Sequence, residues 1–262
     1  MLKIDGIETM EITQFICRSD NFGVLLHDEA SGLTAAIDAP DAKAIRETLD
    51  QKGYKLDVLF ITHHHMDHIE GIAALKAIYG TKIIGPELEA DKIGGLDEAV
   101  NEKSGCKFAK FDVKVLETPG HTLGSVCYYF PEDKLVFTGD TLFSLGCGRL
   151  FEGTAEVMFS SLEKLKALPD DTKLYCGHEY TKENARFARS VDPDNVALIN
   201  RAAAVDRLIA VGETSLPSSI KSEKAANPFL RCNDPDIRRT LKMENASDVA
   251  VFAELRKRKD HF

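Results

Sequence analysis

The chain has no C-x-x-C pair. Its six cysteines, Cys17, Cys106, Cys127, Cys147, Cys176 and Cys232, are scattered, which excludes a zinc ribbon and a small disulfide scaffold and reads as reduced thiols, mostly in the core. No run approaches the ~18 consecutive apolar residues that a spanning helix needs. The start, Met1-Leu2-Lys3-Ile4-Asp5-Gly6-Ile7, lacks the long apolar stretch of a secretory leader, so a cytoplasmic protein with no membrane partner is expected. Basic excess is missing too: the net charge is −9, and a nucleic-acid binder ordinarily carries a basic face. Internal repeats and low-complexity tracts are absent. What remains is 262 residues that are 44% hydrophobic and 29% charged, enough for a sizeable core in one large domain, or one plus a small one.

Charge is unevenly distributed. Residues 190–262 hold 12 Lys and Arg against 11 Asp and Glu, so the negative balance lies upstream. There, six of the eight histidines stand in Gly- and Asp-rich contexts, where bound cations could offset much of the charge. The pattern changes along the chain as well. Apolar runs at 22–27 and 33–38, divided by Asp28-Glu29-Ala30-Ser31-Gly32, read as a hairpin. A helix is expected from Asp41 to Lys52, a buried strand at 58–61, a helix from Ile72 to Tyr79 and a strand at 81–85, the alternation of mixed α/β layers. Residues 86–107 read as loop with a short helix. Strands are expected at 113–116, 125–130, 135–138 and 173–176, with an amphipathic helix at 156–168. Beyond residue 180 the pattern is helical, with stretches at 182–189, 196–211, 236–241 and 247–258 and a Pro/Ser-rich connection near 216–220. The division expected is a 1–180 catalytic domain and a 181–262 helical domain.

The informative stretch is Phe60-Ile61-Thr62-His63-His64-His65-Met66-Asp67-His68, directly after a strand. In an extended segment alternate side chains share a side, so His63, His65 and Asp67 project together and His64 away. A turn into helix at Asp67 would swing His68 toward a second point, and such spacing suits two metals. Three further candidates repeat one design, a strand followed by glycine and a donor: Pro119-Gly120-His121, Gly139-Asp140 and Gly177-His178. Any one of them alone is more often structural. Strands of one sheet system can deliver their ends to a common edge, so five histidines and two aspartates could meet in one cleft.

In this order the motifs resemble those of the metallo-β-lactamase superfamily, and within it the chain is most similar to the glyoxalase II, or hydroxyacylglutathione hydrolase, family. The segments Gly139-Asp140-Thr141-Leu142-Phe143, Gly146-Cys147-Gly148-Arg149, Tyr175-Cys176-Gly177-His178-Glu179-Tyr180-Thr181, Asn227-Pro228-Phe229-Leu230-Arg231 and the ending Arg256-Lys257-Arg258-Lys259-Asp260 carry that resemblance over both parts of the chain. It implies an α/β (α+β) fold, a four-layered αββα sandwich with metals at one edge and a small all-helical C-terminal domain. It also implies that His63, His65 and His121 hold one metal, that Asp67, His68 and His178 hold the other, and that Asp140 bridges them. Glutathione positions map to Arg149, Tyr180, Arg256 and Lys259, with Phe151 where better-known members have a tyrosine. His64 is not a ligand in the family.

Two divalent ions sharing a water lower its pKa and present hydroxide near neutral pH, with Asp67 orienting that nucleophile. The reaction implied is hydrolysis of S-(2-hydroxyacyl)glutathione, S-D-lactoylglutathione above all, to glutathione and D-lactate, the second step of methylglyoxal detoxification. Zinc is the expected metal, with iron and manganese as alternatives, and the chain is expected to act as a monomer. The rival readings are a glutathione persulfide dioxygenase of the same superfamily and a metal-binding protein without catalysis.

Overall fold

The computed structural model describes residues 10–262, so the leader question posed by Met1–Ile7 falls outside the described residues. The first sheet is built from β1 (Glu11–Cys17), β2 (Asn21–Asp28), β3 (Leu33–Ile37), β4 (Val58–Phe60), β5 (Lys82–Pro86) and β6 (Glu98–Val100), in sequence order. β1, β2 and β3 pair antiparallel, whereas β3, β4, β5 and β6 run parallel. Between them lie α1 (Ala42–Lys52), α2 (Met66–Ile69), α3 (Ile72–Tyr79) and α4 (Ala90–Ile93). α1 begins where the Asp41 carboxylate accepts the backbone N–H groups of Lys43 and Ala44, at 2.8 and 3.2 Å, leaving fewer orphan donors in the first turn.

The run at 58–61 reads as continuously apolar because β4 is covered on both faces. Leu59 joins a cluster with Leu25, Ala36, Ile83 and, from the helices, Ile45, Leu49, Ile72 and Leu75. Phe60 points the other way and meets Phe108 and Phe130 edge-on, at centroid distances of 6.2 Å each, a geometry that aromatic quadrupoles favour.

A second six-stranded sheet contains β7 (Cys106–Phe108), β8 (Phe111–Glu117), β9 (Val126–Phe130), β10 (Leu135–Phe137), β13 (Lys173–Tyr175) and β14 (Ser218–Ser219), in the order β14-β13-β10-β9-β8-β7, and β11 (Leu142–Phe143) with β12 (Gly146–Cys147) forms a separate hairpin. α5 (Ala155–Lys166) precedes β13, and the C-terminal region holds α6 (Thr181–Val191), α7 (Val196–Ala210), α8 (Ile220–Ala226), α9 (Pro235–Leu241) and α10 (Asp248–Asp260). The described residues divide into two compact units, one running to Val115 and including Tyr129–Asp133, the other made of Leu116–Tyr128 and Lys134–Phe262. No helix among the described residues is long and apolar enough to cross a membrane.

Four segments differ from the sequence reading, which assigned no strand to β1 or to the β11–β12 hairpin; the other two are longer connections. Residues 86–107 contain, besides the short helix, strands β6 and β7 of three residues each, too short to show a period of two. The connection near 216–220 contains β14 and runs into α8, whose seven residues carry too few turns for a helical period.

Candidate functional site

In the first unit the donors leave the carboxyl ends of parallel strands, where open α/β sheets expose their sites. Asp38 follows β3 and its carboxylate organises the segment after β4. It accepts from the Thr62 backbone N–H at 2.7 Å, from the Thr62 hydroxyl at 2.8 Å and from His68 Nδ1–H at 2.8 Å. The Thr62 hydroxyl proton is thereby committed to Asp38, so Thr62 Oγ1 accepts from His63 Nδ1–H, at 3.0 Å. Both rings are buried. Chain direction changes at Met66, the first residue of α2, one residue earlier than the sequence suggests. The His63 ring consequently lies 4.7 Å from that of His65 and 4.1 Å from that of His68. Asp67 is held through its backbone carbonyl and its carboxylate by Asn21 Nδ2, each at 3.1 Å. His64 turns to the buried Glu89, which accepts from its backbone N–H at 2.6 Å and lies 3.0 Å from its ring.

In the second unit, glycine-bounded turns bring three donors together. The Gly177 N–H donates to the Gly139 carbonyl at 2.9 Å, joining the turn that carries His178 to the turn that carries Asp140. Asp140 Oδ2 then lies 3.3 Å from His178 Nε2 and 3.5 Å from His121 Nε2. His121 Nδ1–H donates to the Arg149 carbonyl at 2.9 Å. Gly148, just before, must lack a side chain, because a Cβ there would fall 1.9 Å from the Asp140 carbonyl oxygen and 3.2 Å from His121 Nδ1.

The residues expected at glutathione are placed unequally. Tyr180 stacks on His178 with ring centroids 4.7 Å apart, and exposed Phe151 meets His121 edge-on at 5.2 Å. The Arg149 side chain is exposed, with Nε 3.9 Å from Asp260 Oδ1. Lys259 is half-buried against Phe187 and Phe262. Burial, reinforced by Arg256 nearby, lowers its pKa from the ordinary lysine range. Arg256 is only 4% exposed and donates to the Cys147 carbonyl and to Asp260. Sequence reasoning missed Asp38, Asn21 and Glu89; Asp38 bears the signal used elsewhere, a carboxylate at the end of a strand.

The donor set suits divalent ions. His63, His68 and His121 each commit Nδ1–H to an oxygen acceptor, which fixes the tautomer that presents Nε2 as a ligand, the usual arrangement behind a metal-binding imidazole. Histidine and aspartate groups that could hold a metal ion draw on His63, His65, Asp67 and His68 and on His121, Asp140 and His178. Together with the sheets, these donors define a protein of the metallo-β-lactamase superfamily, whose model matches residues 37–178. A second model, the C-terminus of hydroxyacylglutathione hydrolase, matches residues 179–262. A hydroxyacylglutathione hydrolase of Brucella anthropi is 60% identical over 97% of this chain and 97% of its own length, and one of Brucella ovis 59% identical over 97% and 99%. Among solved structures, the crystal structure of ETHE1 from Myxococcus xanthus superposes with a TM-score of 0.68 at 25% identity, covering 95% of this chain and 90% of that one. The chain belongs to the hydroxyacylglutathione hydrolase family. A persulfide dioxygenase is not favoured, because the likeness to the hydrolases runs through residues 179–262 as well.

Proposed function

We propose that the chain hydrolyses S-(2-hydroxyacyl)glutathione thioesters, S-D-lactoylglutathione in particular, to glutathione and a 2-hydroxy acid. High identity to named hydrolases over nearly the whole chain carries this reading. In it, His63, His65 and His121 would hold one divalent ion and Asp67, His68 and His178 a second, with Asp140 serving both. Such ions supply Lewis acidity, lowering the pKa of the attacking water and balancing charge that develops on the carbonyl oxygen. Asp38 and Thr62 hold the imidazoles in the ligating tautomer, and Asn21 holds Asp67 where it can orient the water. The leaving thiolate belongs to a thiol of pKa about 8.5, so no strong general acid is required. Arg149, Arg256 and Lys259 present positive charge to the peptide carboxylates of an anionic substrate, while Tyr180 and Phe151 cover the ligands His178 and His121.

The reading takes residues 1–180 as the catalytic part and 181–262 as the substrate-binding part. Zinc is the resident ion, with iron and manganese as alternatives, and the chain acts as a monomer in the cytoplasm, a setting that its six free thiols support. The test is incubation of metal-loaded protein with S-D-lactoylglutathione, following release of free thiol beside a chelator-treated control. Release that depends on metal is the expected result. Its absence from protein carrying both ions overturns the reading.

A further inference from the structure

The strand that delivers the histidine run lies between two strands that are each followed by a buried carboxylate. β4 pairs parallel with β3 on one side and with β5 on the other. Asp38 follows β3, and Glu89 closes the short turn Glu87–Glu89 that follows β5. Glu89 is only 1% exposed, and a carboxylate so placed is costly unless it is hydrogen-bonded. Both carboxylates accept main-chain N–H groups of the run. Asp38 Oδ1 takes that of Thr62 at 2.7 Å and Glu89 Oε2 that of His64 at 2.6 Å.

A peptide group is planar, so holding its N–H or C=O constrains the backbone torsions on either side. Alternate peptide groups of the run are held in this way. The group joining residues 61 and 62 is held by Asp38, and the group joining 63 and 64 by Glu89; the group joining 65 and 66 is held where the His65 carbonyl accepts from the His68 N–H at 2.8 Å. The middle group separates His63 from His65, whose rings stand 4.7 Å apart at 77° to one another. Glu89 approaches the run at His64, which belongs to none of the candidate metal-binding groups among the described residues. We infer that Glu89 is a positioning residue: by fixing the peptide group between His63 and His65 it sets the geometry in which that pair meets a metal ion, and it acts through the His64 main chain and not through the imidazole. This inference rests on the metal reading proposed above.

Wild type, Glu89→Ala, Glu89→Gln and His64→Leu are loaded with zinc, and zinc release from folded protein to a chromogenic chelator is timed beside the Tm of the metal-free forms. Groups that hold ligands in place change metal retention by about tenfold or more, so Glu89→Ala is expected to release zinc faster by that factor. Glu89→Gln keeps an oxygen that can accept the same N–H and should stay within about threefold of wild type. His64→Leu keeps the N–H itself and should stay within about twofold. With S-D-lactoylglutathione, Glu89→Ala should lose kcat while KM stays within about twofold. A carboxylate that only stabilises the fold would lower the Tm of Glu89→Ala and leave zinc release unchanged, which overturns the inference. Release from Glu89→Gln as fast as from Glu89→Ala, or from His64→Leu as fast as from Glu89→Ala, also overturns it, because the effect would then lie in the charge or in the imidazole. Should Glu89→Ala not fold, Glu89→Asp, whose shorter side chain withdraws the carboxylate, takes its place with the same expectation and the same overturning result. Wild-type protein that takes up no zinc removes the metal reading and this inference together. Wild-type protein that holds zinc but hydrolyses no thioester removes the hydrolase reading alone, because the release comparison needs no substrate.

Discussion

At the scale of single residues, the chemistry depends on groups that hold ligands as much as on ligands. Asp38 accepts three hydrogen bonds from Thr62 and His68 and so sets the tautomer of His68 directly and of His63 through a hydroxyl. Asp38→Ala is expected to weaken metal retention about 10- to 100-fold, measured by competition with a chelator, and turnover should fall in step. Asp140→Ala removes a donor itself and should be the more severe. Lys259 gives a pH signature. Burial lowers its pKa, so it loses its charge at a lower pH than an ordinary lysine does. The charged form is the one that attracts an anion, so KM for the glutathione thioester should rise as pH passes upward through that pKa. In Lys259→Met the alkaline rise should vanish and KM should be high throughout; a profile identical to wild type would remove Lys259 from the substrate site.

At the scale of elements, the helices and turns are anchored by local chemistry that mutation can address singly. Asp41 caps α1 through two backbone N–H groups, and its replacement by alanine leaves those donors without their acceptor. Asp41→Ala should cost about 1 kcal/mol, a fall in Tm of roughly 2–4 °C for a chain of this size, with zinc content and KM unchanged, because α1 contributes no donor to the site. The β11–β12 hairpin is the opposite case. Two residues per strand cannot hold a conformation alone, and its shape is imposed by Asn184, Glu223 and Asn227, which hydrogen-bond its backbone. Disturbance in the C-terminal helices is thus transmitted to the segment beside Asp140, whereas disturbance at Asp41 stays local.

At the scale of the whole molecule, the six thiols behave alike. Five are buried and Cys106 is intermediate. Burial pushes the thiols of Cys17, Cys106 and Cys127 up to about 12 and that of Cys147 to about 11, and raises those of Cys176 and Cys232 as well. Thiolate is the reactive form, so native protein near neutral pH should react with a disulfide reagent far more slowly than protein unfolded in guanidinium. Rapid titration of several thiols in the native state would contradict this burial. The expected inertness also means that thiol appearing during turnover comes from the substrate.

Much was legible in the chain because it is encoded locally. The strand-glycine-donor design singled out His121, Asp140 and His178; the extended run after β4 turns His64 toward Glu89, although its ring stays 5.1 Å from that of His65; α3 ends at Gly80 as its composition suggests. The strands left unassigned were mostly of two or three residues, as in β6 and β14, but they include the seven-residue β1. Tertiary structure alone decided the rest, for a reason of distance along the chain. Asp38 stands 30 residues from His68, and Arg256 109 residues from Cys147, and no local pattern records such pairs. Arg256 shows the difference most clearly: the sequence determines a cation near the end of a helix, whereas only the packing of α10 decides that its guanidinium is buried against a backbone carbonyl and a carboxylate instead of meeting solvent.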